Sequence, residues 1–127
     1  MPIKSYMDLD VWKKSMELCR LVSEIAGQIP YSSRSLSDQL HRAAESVPSN
    51  IAEGHGRKST KEYIYFLSVA KGSLSETQTQ LGLCADNTFG REETLRKAMF
   101  LTADIGRMLN RLIKVLEEKQ TKIRCST

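Results

Sequence analysis

The chain has 127 residues, with 19 Lys and Arg against 15 Asp and Glu and a net charge of +4. A single domain of this length buries about two-thirds of its unfolded surface, so it needs neither a disulfide nor a metal to fold. We find no apolar run of about 18 residues and no apolar core of a signal peptide at the N-terminus. The three cysteines cannot pair evenly, which favours a reducing compartment. We therefore expect a cytoplasmic protein that has no membrane partner.

The apolar residues follow a helical spacing throughout, and no strand pattern competes. Asp8 is the candidate N-cap of the first helix, Ser35 and Asp38 resemble a capping box for the second, and Ser59 opens the third. Four helices are predicted over 8–29, 35–54, 59–86 and 91–119, followed by a basic, disordered tail over 121–127.

The apolar spacing of the third and fourth predicted helices indicates how the helices pack. Their apolar residues recur at alternating spacings of three and four, which is the a/d rhythm of a left-handed bundle. Short connections make consecutive helices antiparallel neighbours. The sequence therefore predicts an all-α, antiparallel up-down-up-down four-helix bundle.

Pro48 lies inside the second predicted helix. It removes the hydrogen bond to the Ala44 carbonyl, and a proline in a helix interior costs roughly 3 kcal/mol. We expect a kink at Pro48, with Ser46, Ser49, Asn50 or water satisfying the freed carbonyl nearby.

A line of polar residues shares one face of the second helix at three- or four-residue spacing. We expect these residues to form a structural network with the third helix, because buried polar groups need partners. The alternative makes Arg42 a phosphate contact. The predicted network comprises Gln39, Arg42, Ser46, Asn50 and Glu53 with Ser73 and Glu76.

Two helices carry more apolar surface than one bundle requires. Leu101, Met108 and Val115 form an extra stripe on the fourth helix, and Val11 and Leu18 belong to the second of two stripes on the first helix. The extra stripes either widen the contact within one chain or form an interface between copies. We favour self-association, because long exposed apolar strips mark interfaces.

Basic residues form a two-part candidate footprint for RNA or DNA. The first part lies beside the unpaired amides at the start of the third helix, where an anion is favoured. The second part is a stripe at i, i+4 and i+7 on the fourth helix. The alternative is a solvated charged face. The candidate residues are Arg57, Lys58 and Lys61 in the first part, and Arg107, Arg111 and Lys114 in the second.

The catalytic and metal motifs are incomplete. Asp38, His41 and Glu45 share a helical face like half of a di-iron bundle site, but the second acid-x-x-His element is missing. We therefore expect no catalytic residues, no metal, no cofactor and no small-molecule substrate.

Three segments carry a family resemblance: Gln39–Gly54, Arg57–Glu62 and Phe66–Glu76. Together they resemble the four-helix bundle proteins encoded in intervening sequences of bacterial 23S rRNA genes, and the related accessory variability proteins of diversity-generating retroelements. The resemblance implies the four-helix fold and a ring-shaped homo-oligomer, a pentamer. In the retroelement branch it implies binding of a reverse transcriptase and RNA, whereas the intervening-sequence branch has no settled activity.

The functional prediction combines these features. We expect a non-enzymatic, ring-forming scaffold that binds RNA or a ribonucleoprotein through its phosphate backbone. The alternative is an adaptor that docks a protein partner, such as a reverse transcriptase-like enzyme, without direct contact to nucleic acid.

Overall fold

The computed structural model describes residues 3–126, and four long helices make up most of that range. No strand occurs within it. Each helix packs against its neighbours in sequence, and the first also packs against the last, which closes an antiparallel bundle. The predicted all-α four-helix fold is confirmed. The helices are α1 (Asp10–Ala26), α2 (Arg34–His55), α3 (Thr60–Asp86) and α4 (Glu92–Ser126).

The core follows the predicted a/d seams of α3 and α4. The buried apolar side chains of all four helices form one continuous cluster. Two threonines are buried in the α3 and α4 seams, and each hydroxyl donates to a carbonyl of its own helix, Thr77 to Ser73 at 2.8 Å and Thr102 to Met99 at 2.7 Å. These bonds remove the cost of burying a hydroxyl. The largest side chains with almost no exposure include Leu18, Ile25, Leu40, Ile51, Leu67, Leu81, Ile105 and Leu109.

The start of α1 differs from the prediction. Asp8 does not cap α1 but closes a 3₁₀ turn over Tyr6–Asp8, where Ser5 is the N-cap. The Asp8 carboxylate accepts hydrogen bonds from the backbone N–H groups of Lys4 and Ser5, and these bonds lower its pKa. The Asp8 carboxylate caps this 3₁₀ turn and therefore cannot also cap α1, which begins two residues later at Asp10.

The starts of α2 and α3 contrast with each other. Ser35 and Asp38 were expected to cap α2, but both lie inside it, since α2 begins at Arg34 without a side-chain cap. At α3 the expected cap is present: Ser59 accepts from the Glu62 N–H at 3.1 Å and donates to the Glu62 carboxylate at 3.3 Å.

Helix α2 passes through Pro48 without interruption, and the freed carbonyl finds a partner on another helix. The Cys19 thiol of α1 donates to the Ala44 carbonyl, with 3.3 Å between Sγ and O. The residues expected to satisfy this carbonyl are engaged elsewhere: Ser49 donates to Glu45 and the Asn50 amide donates to Ser46. The predicted side-chain partners were therefore wrong, and the kink remains a prediction.

The Cys19 thiol is protonated, as a hydrogen-bond donor to the Ala44 carbonyl must be. Burial, with a smaller contribution from the Glu45 carboxylate, raises the pKa of the thiol to about 11. The thiol therefore stays protonated at neutral pH and can donate a hydrogen bond.

Cys19→Ala is expected to lower the free energy of unfolding by about 1–3 kcal/mol, because it leaves the buried Ala44 carbonyl unpaired. Pro48→Ala restores an N–H that can bond this carbonyl. The same cysteine change should therefore cost less in the Pro48→Ala background. Urea unfolding of the four proteins measures the coupling between the two sites. Strictly additive losses would show that the thiol does not serve this carbonyl.

The register of α3 against α4 fixes which residues share an end of the bundle. Gln78 donates to Thr102 across the two helices at 3.2 Å, and Gly106 faces Leu74 one turn further along. Continuing this antiparallel register places Lys61 at about the level of residue 119.

The last turns of α4 extend past the start of α3. Helix α4 continues to Ser126, whereas the predicted helix ended at 119 and was followed by a predicted disordered tail over 121–127. Thr127 lies outside the described residues.

Candidate nucleic-acid interface

Two lysines dominate the basic loop between α2 and α3. Lys58 and Lys61 are exposed, and neither forms an ion pair within the part of the chain that the structure describes. Lys61 lies in the first turn of α3, where the helix dipole is positive and Ser59 caps one of the backbone N–H groups, that of Glu62. This corner of the bundle can therefore attract an anion.

Arg57 belongs to the same loop but is already engaged. Its guanidinium pairs with the Glu53 carboxylate one turn earlier and lies over the Phe66 ring, 4.8 Å from the centroid. A phosphate would have to compete with both contacts. Among the three predicted loop residues, the two lysines are thus the more available cations.

The basic stripe on α4 also contains one ion-paired residue and two exposed residues without an ion pair. Arg107 pairs with Asp104 at 3.3 Å. Lys14 of α1 also donates to Asp104 and holds the pKa of that carboxyl below its usual value. Arg111 and Lys114 are exposed and form no ion pair among the described residues.

The bundle topology brings the C-terminal end of the α4 stripe to the same end of the bundle as the basic loop. Helix α3 begins at this end and α4 descends toward it, so Lys58 and Lys61 share it with Lys114 and Lys119. The acidic side chains at positions 117 and 118 also lie there and dilute the positive charge. The result is a mixed but net basic end that can bind phosphates through ion pairing.

The polar line of α2 forms a smaller network than predicted. Ser46 and Ser73 share a hydrogen bond of 2.7 Å between α2 and α3. The Asn50 amide donates to both the hydroxyl and the carbonyl of Ser46, at 2.9 and 2.8 Å. These three residues tie α2 to α3 as expected, while Glu53 pairs with Arg57 instead.

The remaining members of this line face a cleft of about 330 Å³ between α2 and α3. Arg42 and Glu76 line this cleft, and neither side chain forms a hydrogen bond or an ion pair within the described residues. Gln39 is reached by Gln80, whose amide donates to its side-chain oxygen at 3.4 Å. Gln80 was not among the predicted members, although it lies four residues after Glu76 and seven after Ser73 and therefore shares their face of α3.

The predicted interface residues occupy three different environments. Val11, Leu18 and Leu101 are 5%, 0% and 8% exposed, so they offer little surface to a second copy. Met108 is half-buried, whereas Val115 is 54% exposed. The doubled stripe of α1 has an intramolecular explanation, because α1 packs against both α2 and α4.

An apolar side chain that the sequence analysis passed over lies on the surface. Phe100 is 71% exposed and lines a groove of about 710 Å³ between α1 and α4, together with the half-buried Leu21. The Lys14–Asp104 ion pair borders the same groove. Spacing alone could not place Phe100 in the candidate interface, since it lies beside the Leu101 stripe and not on it.

The described residues contain neither a candidate metal site nor a helix that could span a membrane. No group of three or more His, Cys, Asp and Glu side chains there is arranged to hold a metal ion. Cys19 and Cys84 are free thiols, and burial raises the pKa of both. None of the described helices is both long and apolar enough to cross a bilayer.

The fold and the site together define a class: a small antiparallel four-helix bundle with unpaired cations at one end. The chain belongs to the family of 23S rRNA-intervening sequence proteins, whose family model matches residues 7–111. The predicted family is thus confirmed.

A solved structure supports the same fold. It is the crystal structure of a protein of unknown function from the S23 ribosomal protein family of Bacteroides thetaiotaomicron VPI-5482. The two share 23% sequence identity with a TM-score of 0.75, over 82% of this chain and 98% of the other. A comparison with curated proteins gives no match.

Proposed function

We propose that this protein is a non-enzymatic scaffold that assembles into a homo-oligomeric ring, a pentamer, and binds RNA or a ribonucleoprotein through the phosphate backbone. The observation that carries the proposal is the pair of unpaired lysines, Lys58 and Lys61, at the positive end of α3. Arg111 and Lys114 extend this surface along α4. The free thiols of Cys19 and Cys84 support a reducing, cytoplasmic setting.

Assembly would strengthen a weak electrostatic signal. One chain carries a net charge of +4. A ring of five would carry about +20, and each phosphate contact releases counterions from the nucleic acid. Binding through several subunits would therefore be much tighter than binding through one, and it would depend strongly on salt. DNA would be bound by the same mechanism.

The groove around Phe100 supports self-association. An exposed phenylalanine in a groove that also contains Leu21 and is rimmed by charged side chains resembles the aromatic centre and polar rim of a protein interface. The same groove suits a different protein partner. An adaptor that docks such a partner without nucleic acid is therefore the second candidate function.

A titration of labelled RNA at 50 and 200 mM salt distinguishes the RNA-binding scaffold from the protein-binding adaptor. The scaffold should bind RNA and lose affinity steeply as the salt concentration rises. An adaptor should not bind RNA at either concentration.

Phe100→Asp is expected to dissociate the oligomer, because it replaces the aromatic side chain at the centre of the proposed interface with a charge that burial would desolvate. Light scattering should show a multiple of 14.3 kDa for the wild type and a mass near 14.3 kDa for the variant. Tyr31→Asp is the matched control, because Tyr31 is 78% exposed and lies in the connection between α1 and α2, away from the groove. If Phe100→Asp kept the wild-type mass, Phe100 would not belong to the interface.

A further inference from the structure

Beside the basic loop, α3 presents an exposed aromatic side chain that the electrostatic account does not use. Tyr65 is 63% exposed, although tyrosine buries a large apolar ring favourably. We infer that Tyr65 is a base-stacking platform, so that the RNA bound at this end is single-stranded. The inference rests on the proposed function and specifies its ligand.

The Tyr65 ring packs against one neighbouring ring. It meets the Phe66 ring edge to face, with the centroids 5.3 Å apart and the planes at 80°. Phe66 in turn lies beneath the Arg57 guanidinium, which the Glu53 carboxylate holds. A ring supported in this way loses little conformational entropy when a base stacks on it, and most of its surface remains open to solvent.

The phosphate contacts lie within reach of this ring. Lys61 is one helical turn before Tyr65 on the same face, at a rise of about 6 Å along the axis. One nucleotide can therefore stack its base on Tyr65 while its phosphate meets Lys61 or Lys58. Glu62, the nearest carboxylate on α3, is engaged by the Ser59 hydroxyl and the α3 N-terminus.

The surface beyond Tyr65 is open as well. Ser68 and Gly72 continue the same face of α3 and are exposed. A Cβ built at Gly72 would meet nothing within 4 Å. A strand that leaves Tyr65 along α3 therefore meets small side chains and no bulky obstacle.

Stacking distinguishes single strands from duplexes. In a duplex the faces of the bases are covered by their neighbours, so an aromatic side chain can reach them only in unpaired nucleotides. Stacking on an aromatic ring is largely indifferent to sequence, because every base has a π-face. The expected ligand is thus single-stranded RNA of any sequence.

The test compares three labelled ligands of equal length: an oligouridine strand, an abasic strand with the same number of phosphates, and an RNA duplex. The wild type should bind oligouridine more tightly than the abasic strand. Tyr65→Ala should weaken oligouridine binding by about 5- to 150-fold and erase the difference between the two strands. Tyr65→Phe should preserve the difference, because it keeps the ring.

Tyr31→Ala is the matched control. Tyr31 is also an exposed tyrosine beside an arginine, with the Arg34 guanidinium 4.8 Å from its ring centroid. It lies at the opposite end of α2 from the basic loop, so its loss should not alter the preference for bases. Circular dichroism would verify that each variant keeps its helical content.

The outcomes separate this inference from the proposed function. Salt-dependent binding that does not distinguish oligouridine from the abasic strand, or that survives Tyr65→Ala with its preference intact, overturns the stacking role and leaves the electrostatic scaffold standing. Tighter binding of the duplex than of oligouridine also overturns it. If the protein binds none of the three ligands, both the inference and the proposed function fail.

Discussion

Lys58→Glu combined with Lys61→Glu is expected to weaken RNA binding by about 10-fold or more at moderate salt, and to reduce the dependence of affinity on salt. Each lysine that contacts a phosphate contributes about one unit to the salt slope, so each subunit should lose up to about two. Fluorescence anisotropy of a labelled strand at several salt concentrations measures both quantities.

The matched control reverses two charges elsewhere. Arg34 and Arg91 are exposed and lie at the starts of α2 and α4, at the other end of the bundle. Neither residue lines the groove around Phe100. Arg34→Glu with Arg91→Glu changes the net charge by the same amount. An equal loss of affinity in both double variants would mean that RNA responds to total charge, which contradicts a defined basic end.

Gly54→Ala is expected to lower the free energy of unfolding by about 1–3 kcal/mol, despite the higher helix propensity of alanine. Gly54 is buried where α2 crosses α3, and a Cβ there would lie 2.9 Å from the Phe66 Cβ and 3.2 Å from the Tyr63 carbonyl oxygen. These atoms belong to the backbone or to the base of a side chain, so they cannot rotate away. The two helices would have to separate locally.

Gly72→Ala provides the comparison for this prediction. Gly72 is exposed in α3 and has open space around it, so alanine there should stabilise the helix by about 0.5–1 kcal/mol. Urea unfolding of both variants measures the difference. If Gly54→Ala proved neutral or stabilising, the close packing of α2 on α3 would be wrong.

The helical periodicity predicted the architecture, because apolar residues spaced three and four apart share one helix face and that face is buried in the bundle. The α3 seam of Leu67, Ala70, Leu74 and Leu81 is buried where the sequence placed it. Helix starts were harder, because several residues compete for each cap. Asp8 was a reasonable N-cap by type, yet its carboxylate serves the turn that precedes α1.

Contacts between helices were the hardest feature to predict, because residues far apart in sequence form them. The partner of the Ala44 carbonyl is Cys19, 25 residues away, and no local pattern indicates that pair. Likewise, the second stripe of α1 looked like surplus apolar surface. It is buried because α1 has two neighbours, which depends on how the bundle closes.

The candidate site was predictable in type but not in detail. Spacing and charge identified the basic loop and the α4 stripe. The structure then distinguished Lys58 and Lys61 from Arg57, which is already paired with Glu53, because ion pairing depends on side-chain geometry. Tyr65 and Phe100 were missed, since their exposure depends on which helix faces remain uncovered.

Native mass spectrometry of the protein mixed with a single-stranded RNA, at two salt concentrations, tests the central claim most directly. The scaffold predicts a homo-oligomer, a pentamer, that carries RNA at low salt and releases it at high salt. A monomer of 14.3 kDa that carries no RNA at either concentration would contradict both the assembly and the RNA-binding role.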